Sequence, residues 1–227
     1  MSKTLAIIHT SPTLTPLFSR LCAEYLPDVS VFHMVDESLI KDTIRNGYVR
    51  RVTNRRLLGM LESAQDAGAD AILVTCSSIG EGVKIGQELL DVPVVRVDEA
   101  MAEQAVRMGR KIGVMATLRT TLEPTLALLD EKAEAAGIQV ELVPSLCDGA
   151  FEAVLAGDTE THDRILTRAL QNDMKGVDVV VLAQASMARV VEAMGPGALP
   201  MPVLSSPELA VKRTAEVLNM LPAGTAV

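Results

Sequence analysis

The run NRRLLGMLESAQDAGADAILVTCSS, Asn54 to Ser78, carries the architecture in miniature. From Arg55 to Ala67 the apolar residues Leu57, Leu58, Leu61 and Ala64 recur at helical spacing, which builds one face for burial against a sheet. Gly68-Ala69-Asp70 then ends the helix, because glycine enters the left-handed conformation at no steric cost. The aliphatic run Ala71 to Thr75 follows at once as a strand and gives way to Cys76-Ser77-Ser78. Helix, tight turn, strand and polar strand end, in that order, is the unit from which parallel α/β sheets are built.

The same order returns further along the chain. With Arg56 laid on Arg164, 108 positions on, Asn54-Arg55-Arg56-Leu57-Leu58 falls on His162-Asp163-Arg164-Ile165-Leu166, Gly68 on Gly176, Asp70 on Asp178, and Cys76 on Gln184. Small changes of that shift bring Ile7-Ile8-His9-Thr10 over Val114-Met115-Ala116-Thr117, Val35-Asp36 over Cys147-Asp148, and Pro93-Val94 over Pro202-Val203. Strands are expected at Leu5 to His9, Val29 to His33, Ala71 to Thr75 and Val92 to Arg96. A second set is expected at Lys111 to Ala116, Gln139 to Pro144, Val177 to Ala183 and Pro202 to Ser205. Four strands in one order and spacing, twice over, read as an internal repeat. The expectation is an α/β fold of two pseudo-symmetric domains, each a four-stranded, mainly parallel sheet flanked by helices.

The 227 residues carry 21 Lys+Arg against 29 Asp+Glu, a net charge of −8, and 48% of them are apolar. That is enough chain for one large domain or two small ones. With aromatics at 2% and an acidic balance, there are few rings to stack bases and no basic field for phosphates, which argues against a nucleic-acid partner. The apolar run Leu5 to Ile8 is too short for a signal-peptide core or a membrane span, so a soluble, cytoplasmic protein is expected. Cys22, Cys76 and Cys147 are odd in number and far apart, and with His9, His33 and His162 they make neither a disulfide framework nor a zinc site. Gly80-Glu81-Gly82 lacks the third glycine and the Lys-Ser/Thr of a phosphate loop, so no nucleotide is expected. Only Ala223 to Val227 reads as a loose tail.

In open α/β sheets the ligand crevice lies beyond the carboxyl ends of the strands. Those ends are rich here in hydroxyl and amide groups: His9-Thr10-Ser11, Thr75-Cys76-Ser77-Ser78, Thr117-Leu118-Arg119-Thr120-Thr121 and Gln184-Ala185-Ser186. Hydroxyls that precede a helix converge with unpaired backbone N–H groups and suit a carboxylate, which points to a small carboxylic acid. Taken singly, Ser77, Ser78, Thr117 and Ser186 read as helix caps; it is four such clusters at equivalent strand ends that point to a site. Cys76, at a strand-to-helix junction, reads as a base or nucleophile, whereas Cys22 and Cys147 read as structural thiols. His9 ends a strand at the crevice and could serve as acid, base or carboxylate partner. His33, between Phe32 and Met34, reads as packing, and His162, opening a helix, as solvent-exposed. Arg119 reads either as a local positive field or as a solvated helix start.

On these residues the chain resembles the aspartate/glutamate racemase superfamily, which also holds hydantoin racemases, maleate isomerases and arylmalonate decarboxylases. The sharpest points are Val74-Thr75-Cys76-Ser77-Ser78, Gly113 to Thr120, Asp148-Gly149-Ala150-Phe151 with Gly157-Asp158, and Pro202-Val203-Leu204-Ser205-Ser206-Pro207. The resemblance implies two domains facing a shared active-site cleft, residues 1–98 with 208–227 and residues 99–207, and a homodimer or larger homo-oligomer. It implies cofactor-independent proton transfer beside a carboxylate, by one cysteine from each domain. Cys76 would be the first of these, with Ser77 and Ser78 on the carboxylate and Thr117 and Thr120 holding it from the other side. Gln184 stands where the second cysteine is expected, and glutamine neither takes nor gives a proton at ordinary pH. Three readings follow. Cys76 alone transfers the proton, as an isomerase or decarboxylase, with Gln184 and the hydroxyls stabilising the carbanion. Alternatively Cys76 is a covalent nucleophile, in an isomerase or in a hydrolase helped by His9. In the third, the pocket is a non-catalytic carboxylate binder.

Overall fold

Strands that are apolar at nearly every position need helices over both faces of their sheet, and the chain supplies them. The computed structural model describes residues 2–195 and 197–222, so the expected loose tail, Ala223 to Val227, lies outside the described residues. The chain divides into two compact units, Met1–Val97 with Pro207–Val227 and Asp98–Ser206.

The first unit holds strands β1 (Thr4–His9), β2 (Ser30–Val35), β3 (Ala71–Val74) and β4 (Val94–Arg96), all parallel in the order β2-β1-β3-β4. Helices α1 (Thr15–Tyr25), α2 (Glu37–Asn46), α3 (Arg51–Asp66) and α4 (Gly80–Leu89) connect them. The two-residue period of β1 divides the core. Leu5 and Ile7 pack with Phe18 and Leu21 of α1, while Ala6 and Ile8 pack with Leu39 of α2, Leu57 and Leu61 of α3 and Val83 of α4. Gly68 carries φ +86° where α3 turns into β3, as its place in the sequence requires.

The second unit holds α5 (Glu99–Met108), β5 (Lys111–Ala116), α6 (Arg119–Ala135), β6 (Glu141–Leu146), α7 (Ala150–Leu155), α8 (Thr159–Asn172), β7 (Val179–Leu182), α9 (Ala188–Met194) and β8 (Val203–Ser205). Its strands are parallel in the order β6-β5-β7-β8, the same topology. Leu166 and Leu170 of α8 and Val190 of α9 share a core with Met115, Val180 and Leu182, and α5 and α6 pack against each other and on β5 and β7. A last helix, α10 (Ser206–Met220), sets Ala210, Val211 and Leu218 into the core of the first unit beside Leu5 and Phe18.

Both sheets match the expected class, four parallel strands each, and the strand limits shift for physical reasons. The edge strands run Ser30–Val35 rather than Val29 to His33, and Glu141–Leu146 rather than Gln139 to Pro144, because each follows the full length of its central neighbour in register. Val94–Arg96, Val179–Leu182 and Val203–Ser205 are shorter than their apolar runs. Pro93 and Pro202 have no N–H to give to the ladder.

Candidate active site

The order β2-β1-β3-β4 sends the crossover after β1 to one side of the sheet and the crossover after β3 to the other. The chain therefore parts between the carboxyl ends of β1 and β3, the switch point at which doubly wound sheets bind ligands. Thr10 follows β1 and Cys76 follows β3. The equivalent point of the second unit lies between β5 and β7, at Thr117 and Gln184.

Cys76 opens a tight turn, Ser77–Ile79, in extended backbone conformation, and no side chain caps that turn. Both serines there are buried, and Ser78 serves the sulfur. Cys76 Sγ accepts hydrogen bonds from the Thr10 hydroxyl, the Ser78 hydroxyl and the backbone N–H groups of Ser78 and Ile79. Burial pushes the thiol up and these four donors oppose it, with burial the larger effect. The result is a thiol that is protonated at rest, within a shell of donors suited to the thiolate. Cys22 and Cys147 are buried and pushed up to about 11, in keeping with structural roles.

His9 is fully buried, and both its ring nitrogens are engaged. Nδ1 lies 2.9 Å from Thr75 Oγ1, Nε2 lies 2.9 Å from His33 Nδ1, and His33 Nε2 lies 2.9 Å from Ser19 Oγ. Thr75 Oγ1 also lies 3.2 Å from the Ile8 carbonyl, which can only accept. That end sets every proton in the chain. Thr75 donates to Ile8, His9 Nδ1–H to Thr75, His33 Nδ1–H to His9 Nε2, and the Ser19 hydroxyl to His33 Nε2. Both imidazoles are neutral in this arrangement. Burial and the neighbouring His33 lower His9 to about 4, and burial lowers His33. His9 thus has no ring nitrogen left for a carboxylate, contrary to the role expected of it. His33 is a polar link rather than packing.

The second unit repeats the Thr10–Cys76 pair with different chemistry. Gln184 Oε1 accepts from Thr117 N at 2.6 Å and from Thr117 Oγ1 at 2.9 Å, which turns the amide NH₂, a pure donor, away from Thr117. Thr120 Oγ1 is buried without a partner at the start of α6, a helix with no side-chain cap at Leu118. Arg119 is 71% exposed and lies 3.7 Å from Glu123, the solvated helix start of its two readings. Ser11 is partly buried and bonds Thr13, at 2.8 Å, while Ala185 is partly buried and Ser186 exposed.

His162 corrects an expectation. It is fully buried rather than solvent-exposed, with Nδ1 2.8 Å from Asp163 and Nε2 without a partner. Its spacing with Leu166, Ala169 and Leu170, all on the buried face of α8, is the signal that identifies it. Asn54, the residue it falls on in the repeat, likewise buries Oδ1 unpartnered. No sequence pattern marks Arg96: it ends β4, is 5% exposed, and its guanidinium lies so close to Gly80 that a Cβ there would overlap it. The glycines that fail as a phosphate loop are therefore packing glycines. Among the described residues no group of three or more His, Cys, Asp or Glu is placed to hold a metal, and no helix is long and apolar enough to cross a membrane.

The Asp/Glu/hydantoin racemase family model matches residues 6–214. Among solved structures, a glutamate racemase isoform from Bacillus anthracis is similar at 18% identity and TM-score 0.70, over 96% of this chain and 82% of that one. Glutamate racemase from Francisella tularensis in complex with D-glutamate aligns with TM-score 0.73 at 16% identity, over 96% and 81% of the two chains. Allantoin racemase from Klebsiella pneumoniae aligns with TM-score 0.66 at 18% identity, over 96% and 89%. No curated protein matches the chain by sequence.

Proposed function

The chain belongs to the Asp/Glu/hydantoin racemase family, and from that premise we propose that it is a cofactor-independent isomerase acting at the carbon beside the carboxylate of a small carboxylic acid, with Cys76 as its single thiol acid/base. The observation that carries this reading is the shell of four donors on Cys76 Sγ at the switch point of the first unit. Removing a proton beside a carboxylate leaves an enediolate, and the same step needs a base whose anion is held without bulk water. Thr10, Ser78 and the two backbone N–H groups hold the thiolate. Ser11 and Ser77 of the first unit and Thr117, Thr120, Ala185 and Ser186 of the second are assigned to the carboxylate, whereas Arg119, paired with Glu123 in solvent, is not. The Gln184 amide donates to the enediolate oxygen but cannot return a proton. D-glutamate in the Francisella tularensis relative fits this substrate class. Three unpaired cysteines suit a reducing, cytoplasmic setting, and the protein acts as a homodimer or larger homo-oligomer.

Decarboxylation of the arylmalonate type is the second reading, favoured by the thiol that burial keeps protonated. Loss of CO₂ creates the carbanion without a base, and Cys76 has only to give its proton. Incubation in D₂O with aspartate, glutamate, hydantoins, maleate, substituted malonates and aldonates, followed by NMR, tests both. Deuterium at the α carbon that disappears in Cys76→Ala is the expected result, and CO₂ release that disappears in it marks the decarboxylase. No exchange with any acid, together with a melting-temperature rise that survives Cys76→Ala, would replace the enzyme with a binder.

A further inference from the structure

The chain Ser19–His33–His9–Thr75 has no counterpart in the second unit, although the fold repeats. His9 falls on Ala116 and Thr75 on Ala183, while His33, paired in register with Ile7, corresponds to Pro144, paired with Val114. At these three places the second unit has two alanines and a proline, and its sheet closes in the same order. The fold therefore does not require a buried polar chain at this position, and such a chain carries a cost. Each member loses its water, and the loss of any one strands its neighbours. The unit that bears that cost is the unit that carries the thiol.

The geometry shows what the chain does. His9 ends β1 and Thr75 follows β3, so the bond between them ties the carboxyl ends of the two central strands together. The next residue on each strand is a partner in the sulfur shell: Thr10 after His9, and Cys76 after Thr75. His33 on β2 and Ser19 on α1 hold the His9 ring in the single tautomer that can donate to Thr75. Phe18 of α1, with its ring centroid 5.6 Å from that of His9, closes the remaining side.

Resting on the reading of Cys76 as the proton-transfer thiol, we propose that His9 and His33 are positioning residues that keep the Thr10 hydroxyl on Cys76 Sγ through Thr75. They touch no substrate. Their effect is on how readily the thiolate forms.

Alkylation of Cys76 in the full-length protein by iodoacetamide, followed across pH by mass spectrometry of the Cys76 peptide, reads that directly and needs no substrate. In His33→Phe the rate at neutral pH falls by about tenfold or more and the pH–rate curve moves up, the scale of one hydrogen bond to a charged acceptor. His33→Asn, whose amide N–H takes the place of Nδ1–H, restores the rate to within about twofold. Should His33→Phe not fold, Thr75→Val, matched in shape and lacking the hydroxyl, carries the same expectation. A wild-type curve in a folded His33→Phe or Thr75→Val, or a His33→Asn protein as slow as His33→Phe, overturns the proposal. The catalytic reading fails separately, by turnover that persists in Cys76→Ala.

Discussion

The two units share one backbone plan and differ at the point where chemistry would occur. In each, the threonine after the first strand bonds the residue after the third: Thr10 to Cys76 in one, Thr117 to Gln184 in the other. The first pair holds a titratable sulfur with four donors, and the second holds an amide by its oxygen. The two units share the scaffold and the threonine, while one carries a group able to move a proton and the other a group able only to donate a hydrogen bond. A proton-transfer site needs an acid/base on one side and electrostatic stabilisation on the other. The first unit holds a group able to do the former, and the second a group able only to do the latter.

Gln184→Cys is the strongest way to break the comparison. It places a second thiol beside Thr117, at the position of the second unit that repeats Cys76. On the isomerase reading, racemisation of the acid that exchanges deuterium rises by tenfold or more, about 1.4 kcal/mol in barrier, as measured by chiral chromatography. An unchanged rate would mean that Gln184 lies outside the reaction.

A milder contrast lies at the opposite ends of the sheets. Asp70 Oδ2 accepts from Thr4 N at 2.6 Å, whereas its repeat partner Asp178 accepts from both Arg110 N and Lys111 N at 2.8 Å. Those two N–H groups hold the Asp178 carboxyl below its usual range. Asp178→Ala should therefore lower the melting temperature about twice as far as Asp70→Ala, since net stabilisation scales with the bonds lost. Equal shifts in thermal melts would show that the second bond adds nothing.

The fold can be read from the sequence because its signals are local and doubled. Leu57, Leu58, Leu61 and Ala64 mark a buried helix face, and Ala71 to Val74 is apolar on both faces of the strand it forms. Cys76 and Gln184 stand out for the same reason, each directly after an apolar run. What the sequence hides depends on pairing across the sheet. Between Phe32 and Met34, His33 looks like packing, and only the alignment of β2 on β1 brings it to His9. Arg96 and Gly80 are distant in sequence, and no pattern in either stretch announces that one lies on the other.

Acidity should separate the two kinds of stabilisation in the first unit, with the smallest effect of the three. His9 is lowered from 6.5 to about 4, by burial and then by His33, so the folded protein resists a proton that the unfolded chain accepts. The groups facing His9 are Thr75, just after β3, His33 from β2 and Phe18 from α1, and Ser19 of α1 completes the shell of His33. None of these offers a carboxylate to hold a second proton. Stability from this chain is complete above about pH 6.5, falls as pH drops toward 4, and is unchanged below that, because the unfolded state binds more protons only within that window. Asp42, held near 2 by Arg50 and Thr53, acts in a separate range: its contribution is present above 3.8 and fades as pH falls through 2. Melting temperatures should therefore decline in two steps, the upper one belonging to the histidines. His9→Ala, which leaves Thr75 and His33 without their bonds to the ring and so lowers the melting temperature at every pH, should flatten the upper step and leave the lower one in place. A full upper step in that variant would assign the acid sensitivity to groups other than this chain.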